Sequence, residues 1–332
     1  MQIKQTPTPT SEAKPLVTFI VTYYNLPMQM LCECIDSILA LSLRPFEREI
    51  IIVDDGSEVS PMNGLMQYAD DIIYVRQRNQ GLSCARNRGI NMATGQYIQF
   101  VDGDDRLIQS PYEHCLDIIR YKNNADMVLF SFTTEKQPAQ AVLSELPPVS
   151  GTEYMRHHNI HGSACSYLFR RVTLSGLRFT PGIVHEDEEF TPQLLLRAES
   201  VYITDAKAYF YHQRKGSITT SLDEKSRNKR LDDTKDILLR LQLLCDRVSH
   251  DDRLALQRRI AQLTMDYLYN TIVQGRSRQI LDTRIEDLRS HGLFPLPDRN
   301  YSVKYQWFRR MTNSSLGRTI LLNSLPLLKR ER

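Results

Sequence analysis

Hydrophobic positions in the first half of the chain come as short unbroken runs, separated by stretches of helical spacing. Leu16-Val17-Thr18-Phe19-Ile20-Val21-Thr22 is a continuous apolar run bounded by Pro15 and by polar Tyr23-Tyr24-Asn25, the pattern of a strand buried on both faces. Residues 27–41 carry Leu31, Cys34, Ile35, Ile38, Leu39 and Leu41 at helical intervals. A second apolar run, Glu49-Ile50-Ile51-Ile52-Val53, predicts another strand and ends at Asp54-Asp55-Gly56-Ser57. A short helix follows, then strands at Asp71–Arg76, Gln96–Val101 and Asp126–Phe132, with helices over 82–93 and 111–122.

Strand and helix alternating at this pitch predict an α/β fold, a layered α/β/α domain with a mainly parallel central sheet. Such sheets bind ligands beyond the carboxyl ends of their strands. Three strands here end in polar or acidic residues, at 22–25, 54–55 and 102–105, so the three ends are expected to converge on one crevice. From about residue 150 the pattern is mixed. From about 222 it is helical, with amphipathic stretches at 232–247 and 253–273. No internal repeat is visible.

Residues 1–14, polar and proline-rich, read as a disordered leader without the pattern of a secretory signal. The expected domains are thus a catalytic-type layered domain over 15–220 and a helical C-terminal region over 221–332. No apolar run reaches the ~18 residues that a membrane-spanning helix needs. The chain of 332 residues has 42 basic and 39 acidic side chains, a net charge of +3. That balance, with no basic run interleaved with aromatics, argues against a nucleic-acid partner. Cysteines at 32, 34, 84, 115, 165 and 245 match no zinc spacing, and free thiols in a reducing cytosol are the plain reading.

The first strand-to-helix turn, Tyr23-Tyr24-Asn25-Leu26-Pro27, holds no glycine. A dinucleotide fingerprint is therefore absent, and so is a P-loop motif. A diphosphate would need another holder. A divalent cation held by carboxylates fills that need, because Mg²⁺ and Mn²⁺ share themselves between one or two carboxylates and substrate phosphates. Asp102, Asp104 and Asp105 at the end of an apolar strand suit such a cation, with Gly103 giving close backbone approach. An acidic turn that starts a helix is the alternative.

At Asp54-Asp55 one carboxylate can accept a hydrogen bond from a nucleobase N–H, with Thr22 or Tyr24 adding a hydrogen bond or stacking. An ordinary capped turn is the alternative. Arg86 and Arg88 open the helix after Asn79-Gln80-Gly81 and face different ways. Arg86 is expected near the diphosphate or base, or in a structural ion pair. The run His185-Glu186-Asp187-Glu188-Glu189 crowds charge that favours a helix start and offers a general base for an acceptor hydroxyl. His157, His158 and His161 lack the spacing of a metal site. The polar basic loop Tyr211–Thr219 either closes over phosphates or is a simple surface loop.

Together these stretches resemble the inverting family 2 glycosyltransferases with the GT-A fold. The resemblance rests on Pro15 through Asn25, Val53 through Ser57, Asn79 through Gly89, Gly95 through Asp105 and Glu186 through Phe190, in the family's order, across roughly residues 15–220. It implies a nucleotide-diphospho-sugar donor, often a uridine one, and single displacement at the anomeric carbon. It implies that Asp55 contacts the nucleobase with Thr22 and Tyr24 near. Asp102 would lie by the ribose and metal, and Asp104 would coordinate Mn²⁺ or Mg²⁺. Asp187 would be the base, with Glu186 as the fallback. Asp105 then reads as a helix start rather than a ligand.

The expected function is transfer of a sugar, from a UDP-sugar in the first instance, to a hydroxyl of a saccharide or lipid-linked saccharide during cell-surface polysaccharide synthesis. The competing readings are a non-catalytic, membrane-associated sugar-nucleotide-binding subunit and a nucleotidyltransferase, which normally needs a glycine-rich first loop. Trp307-Phe308-Arg309-Arg310 and Leu325–Arg330 mix apolar and basic residues. Such a mixture can lie on anionic lipid, or else pack a terminal helix on the domain. The expected location is the cytoplasm, with peripheral contact at the inner face of the membrane.

Overall fold

The computed structural model describes residues 14–122, 124–135, 144–214, 223–275 and 277–328. All but the last residue of the expected leader lies outside them. The first apolar run is β1 (Val17–Tyr23), buried along its whole length. It leads into α1 (Met28–Leu39), which turns Leu31, Cys34, Ile35 and Ile38 inward. Next, β2 (Arg48–Asp54) lies parallel to β1, with Thr22 beside Val53 and Tyr23 beside Asp54. The short α2 (Met62–Leu65) precedes β3 (Ile72–Arg76), parallel to β2. From there α3 (Leu82–Met92) carries the chain back to β4 (Tyr97–Asp102), which pairs with the other edge of β1 and sets Asp102 beside Thr22.

The order β3-β2-β1-β4 reverses direction between β1 and β4. A parallel sheet opens a crevice at such a reversal, outside the carboxyl ends. The two strand ends at this one are those of Thr22 and Asp102.

Beyond β4 the sheet is mixed. In chain order come β5 (Arg106–Leu107), α4 (Gln109–Tyr121), β6 (Met127–Thr133), β7 (Glu145–Val149), α5 (Gly151–His157), β8 (Tyr167–Arg170), α6 (Asp187–Leu195) and β9 (Val201–Phe210). Strand β8 runs antiparallel to both β4 and β6, β9 runs parallel to β6, and β5 runs antiparallel to β9. Among the described residues nine strands form one sheet, with β7 paired to β9 outside the main path. The parallel half is the half the alternation predicts. Strands β5, β7 and β8 have no counterpart in the sequence reading. Two of these are too short for periodicity to register. The third, β7, contains Pro147 and Pro148, which lack the N–H that a ladder uses.

The chain forms two compact units that do not follow a single cut. The first gathers the residues up to Pro148 with Cys165–Gly176 and Val201–His212. The second gathers Val149–Ala164, Leu177–Ser200 and the residues from Gln213 onward. In the second unit lie α7 (Glu224–Cys245), α8 (His250–Gly275), α9 (Arg278–Ser290), α10 (Val303–Asn313) and α11 (Ser315–Leu328). The stretches 232–247 and 253–273 fall on α7 and α8, and α8 packs against both α7 and α5. Among the described residues no helix is long and apolar enough to cross a membrane.

Candidate active site

In the first unit, the turns after β1 and β2 are tied together. Asn25 takes a left-handed conformation, φ 49°. Its N–H donates to Ser57 Oγ at 3.0 Å, and its side-chain oxygen accepts from the Glu58 N–H at 2.9 Å. Tyr24 stands next to this turn with about half of its surface exposed.

Asp54 and Asp55 do different work. Asp54 is fully buried. Its carboxylate accepts from the Ser57 N–H at 2.9 Å and from the Tyr74 hydroxyl at 2.8 Å, and it pairs with Arg76 at 3.4 Å. The Asp54 side chain thus closes the turn from inside. Asp55 binds the loop that leads into α3, accepting from Gln77 Nε2 at 2.8 Å, the Gln80 N–H at 2.9 Å and the Gly81 N–H at 2.8 Å. Gly56 sits at φ 79°, and a Cβ there would meet the Asn79 nitrogen at 2.6 Å. A buried carboxylate with three donors is rigid, so whatever Asp55 contacts meets a fixed acceptor.

At the end of β4, Asp102 Oδ1 pairs with Arg86 Nη2 at 3.0 Å and accepts from Thr22 Oγ1 at 3.2 Å. Arg86 projects from α3 and is buried, with its guanidinium 5.8 Å from the Phe100 ring centroid. Of the two places the sequence reading left for it, the structure gives Arg86 the ion pair. The Asp102 side chain keeps a third of its surface exposed. Gly103 lies against β1, where a Cβ would stand 2.8 Å from the Thr22 carbonyl oxygen. Its smallness therefore serves strand packing.

Asp104 is half-buried. Asp105 is buried and does not start a helix, since α4 begins at Gln109. The Tyr209 hydroxyl donates to Asp105 Oδ2 at 2.7 Å, and the His212 N–H donates to Oδ1 at 2.7 Å. The Asp102 N–H in turn donates to the Tyr209 oxygen at 3.1 Å. Burial, with the charge of Asp102 adding to it, pushes the Asp105 carboxyl up to about 8. Asp105 thus anchors the end of β9 beneath the acidic turn. Sequence reasoning missed Tyr209, whose only signal was its place at a strand end.

A divalent cation asks for hard oxygen ligands and leaves sites for phosphate and water. Asp102 and Asp104 fit that request. They supply two partly exposed carboxylates, and Thr22 and Arg86 both meet the Asp102 carboxylate at Oδ1. Among the described residues no group of three or more His, Cys, Asp or Glu stands ready to hold a metal.

In the second unit, Glu186 is buried and Asp187 is half-buried at the first turn of α6. The preceding His185 takes φ 64°, and burial lowers its imidazole from the usual value. Glu188 pairs with Arg259, and Glu189 with Arg240 at 2.8 Å. The acidic run therefore divides, with its last two members committed to ion pairs inside the unit. Among the candidate histidines, His157 ends α5 and the His158 ring stacks on Tyr154 at 4.9 Å. Of the loop expected over Tyr211–Thr219, the part beyond Arg214 lies outside the described residues.

Residues 18–172 match glycosyl transferase family 2. The chain carries a family 2 glycosyltransferase domain. It is 32% identical over 222 residues to the uncharacterised glycosyltransferase EpsJ of Bacillus subtilis, covering 62% of this chain and 63% of EpsJ. It is 26% identical over 221 residues to the minor teichoic acid biosynthesis protein GgaB of the same organism, covering 63% of this chain and 24% of GgaB. The match thus spans less than two thirds of either relative. Residues 1–349 of TarS from S. aureus, solved in complex with UDP-GlcNAc, superpose with a TM-score of 0.66 at 16% identity, covering 95% of this chain and 91% of that one. The glycosyltransferase domain accordingly has the GT-A fold.

Proposed function

We propose that the chain is an inverting glycosyltransferase. It moves a sugar from a nucleotide-diphospho-sugar, a UDP-sugar in particular, to a hydroxyl of a saccharide or lipid-linked saccharide in cell-surface polysaccharide synthesis. The observation that carries this reading is the Thr22–Asp102–Arg86 network at the strand-order reversal between β1 and β4. It stands where α/β sheets bind ligands, in a domain of glycosyltransferase family 2. The UDP-sugar assignment draws support from the UDP-GlcNAc bound to TarS, and the acceptor class from the name of GgaB.

Residues 15–220 are read as the catalytic domain and 221–332 as a helical region. Tyr24 stacks on the base, and Asp55 accepts from its N–H. Asp102, held by Arg86 and Thr22, meets the ribose, and Asp102 with Asp104 would hold Mn²⁺ or Mg²⁺. When bound, the cation supplies positive charge to the diphosphate leaving group. Asp187 takes the proton of the acceptor hydroxyl, with Glu186 beside it, as that oxygen attacks the anomeric carbon from the side opposite the diphosphate. The nucleotidyltransferase reading lacks its glycine-rich first loop, since Tyr23–Pro27 holds no glycine.

The contact with lipid is proposed for α10 and α11. Val303, Lys304, Trp307 and Arg310 are exposed on α10 at helical spacing, and Leu316 and Ile320 are exposed on α11. No acidic residue occurs from Arg299 to Leu328. An apolar face with a basic border and no acid suits an anionic bilayer surface, and that partner places the protein at the cytoplasmic face of a membrane.

Thermal-shift titrations test the donor assignment. Stabilisation by UDP-sugars that grows when Mn²⁺ is present supports it. A larger response to nucleoside triphosphates than to any nucleotide sugar overturns it in favour of nucleotidyl transfer.

A further inference from the structure

The helical region grips the segment that enters α6, and it does so with charged side chains from two helices. From α7, Asp233 accepts from the Val184 N–H at 2.7 Å and pairs with Lys229 at 2.7 Å. Lys229 also donates to the Gly182 carbonyl at 2.9 Å. Arg240, again on α7, pairs with Glu189, whose second oxygen accepts from Thr180 Oγ1 at 2.8 Å. From α8, Arg259 reaches the first turn of α6. Arg259 pairs with Glu188 and donates through Nη1 to the Ile160 carbonyl at 3.1 Å.

Arg259 is the costliest of these groups to place. It is almost wholly buried, and burial lowers its guanidinium to about 10 while the carboxylates of Asp266 and Asp187 act the other way. A buried cation that loses its partner is strongly destabilising, whereas an apolar pair of similar volume often serves stability as well or better. Packing alone therefore does not call for an arginine here. Its planar fork, spanning Glu188 and the Ile160 carbonyl, instead fixes one orientation of the α6 first turn.

We infer that Arg259 is a positioning residue for Asp187, acting through Glu188 to hold the first turn of α6 in one orientation. The inference rests on the reading of Asp187 as the base, and it assigns the helical region a part in the reaction. Reacting groups misplaced by about 1 Å lose rate on the order of a hundredfold, so a looser turn lowers kcat without touching donor binding.

The test uses the full chain with UDP-N-acetylglucosamine, UDP-glucose and UDP-galactose in Mn²⁺, following UDP release. The double variant Arg259→Met with Glu188→Gln removes both charges of the pair together. It is expected to melt close to wild type, to exchange amide hydrogens faster at 184–190, and to lose about tenfold or more in kcat with KM for the sugar nucleotide little changed. Arg259→Lys, which keeps the charge but not the fork, is expected to fall between. Wild-type kcat together with wild-type exchange at 184–190 in the double variant overturns the inference. Asp187→Asn separates the two ideas. If it is inactive while the double variant is fully active, only the positioning role fails. If it turns over like wild type, the reading of the base fails.

Discussion

Arg86 and Asp102 meet at 3.0 Å, the arginine buried on α3 and the aspartate at the last position of β4. Thr22 reaches the same carboxylate oxygen from β1. Three elements that arrive separately at the strand-order reversal are thereby joined at one atom. A carboxylate held this way keeps its orientation before any ligand arrives, which is the condition for it to act on a sugar nucleotide without reorganising.

Replacing Arg86 by methionine removes the cation but keeps much of the volume. Asp102 then loses its charged partner while remaining partly solvated, so the loss of stability is expected to be about 1–3 kcal/mol. Affinity for the sugar nucleotide should fall as well. Chemical denaturation and ligand titration measure the two effects, and a variant with unchanged donor affinity would remove Asp102 orientation from the donor site.

Gly103→Ala places a methyl group against the Thr22 carbonyl oxygen, 2.8 Å away. The Thr22 carbonyl is backbone and cannot give way as the nearby Leu26 side chain can. Overpacking of this kind costs about 1–3 kcal/mol, and the shift falls on the strand that carries Asp102. A lower midpoint in denaturant with reduced donor binding is the expected outcome.

How much of this was legible beforehand follows from the kind of signal each part leaves. Strands β1 to β4 and their helices show as unbroken apolar runs alternating with helical spacing, and those runs set the crevice. The acidic turn at 102–105 was visible as a motif, but the division of labour inside it was not. That Asp54 faces inward, and that Asp105 is bound to Tyr209 and His212, depends on partners distant in sequence. The same holds for Arg259 and Glu188, which lie far apart in the sequence and meet only through packing. Strands β5 and β8 were too short to leave a period at all.

Acid is expected to weaken the second unit through His185. Burial lowers its folded-state value below the ordinary 6.5. Between the two values the unfolded chain binds the extra proton, so stability rises with pH in that window. The contribution is complete above about pH 6.5 and is lost as the pH falls below it. His185→Asn, which tolerates the left-handed backbone, should flatten that slope in melting curves taken from pH 7 to 5. An unchanged slope would assign the effect to other groups.

The α10 face makes a separate expectation. Co-sedimentation with phosphatidylglycerol vesicles should exceed that with phosphatidylcholine vesicles and weaken as salt rises. Trp307→Ala and Arg310→Glu should each reduce it without altering UDP release in solution. Equal sedimentation with both lipids, or none with either, argues against lipid as the partner of this face.

The central claim is metal-assisted transfer from a UDP-sugar, and release of UDP is its most direct readout. With Mn²⁺ present, the wild-type chain should liberate UDP from a UDP-sugar, and chelation should stop it. Asp104→Ala should show no turnover under the same conditions. Turnover by Asp104→Ala at the wild-type rate, or wild-type turnover untouched by chelator, would contradict the account.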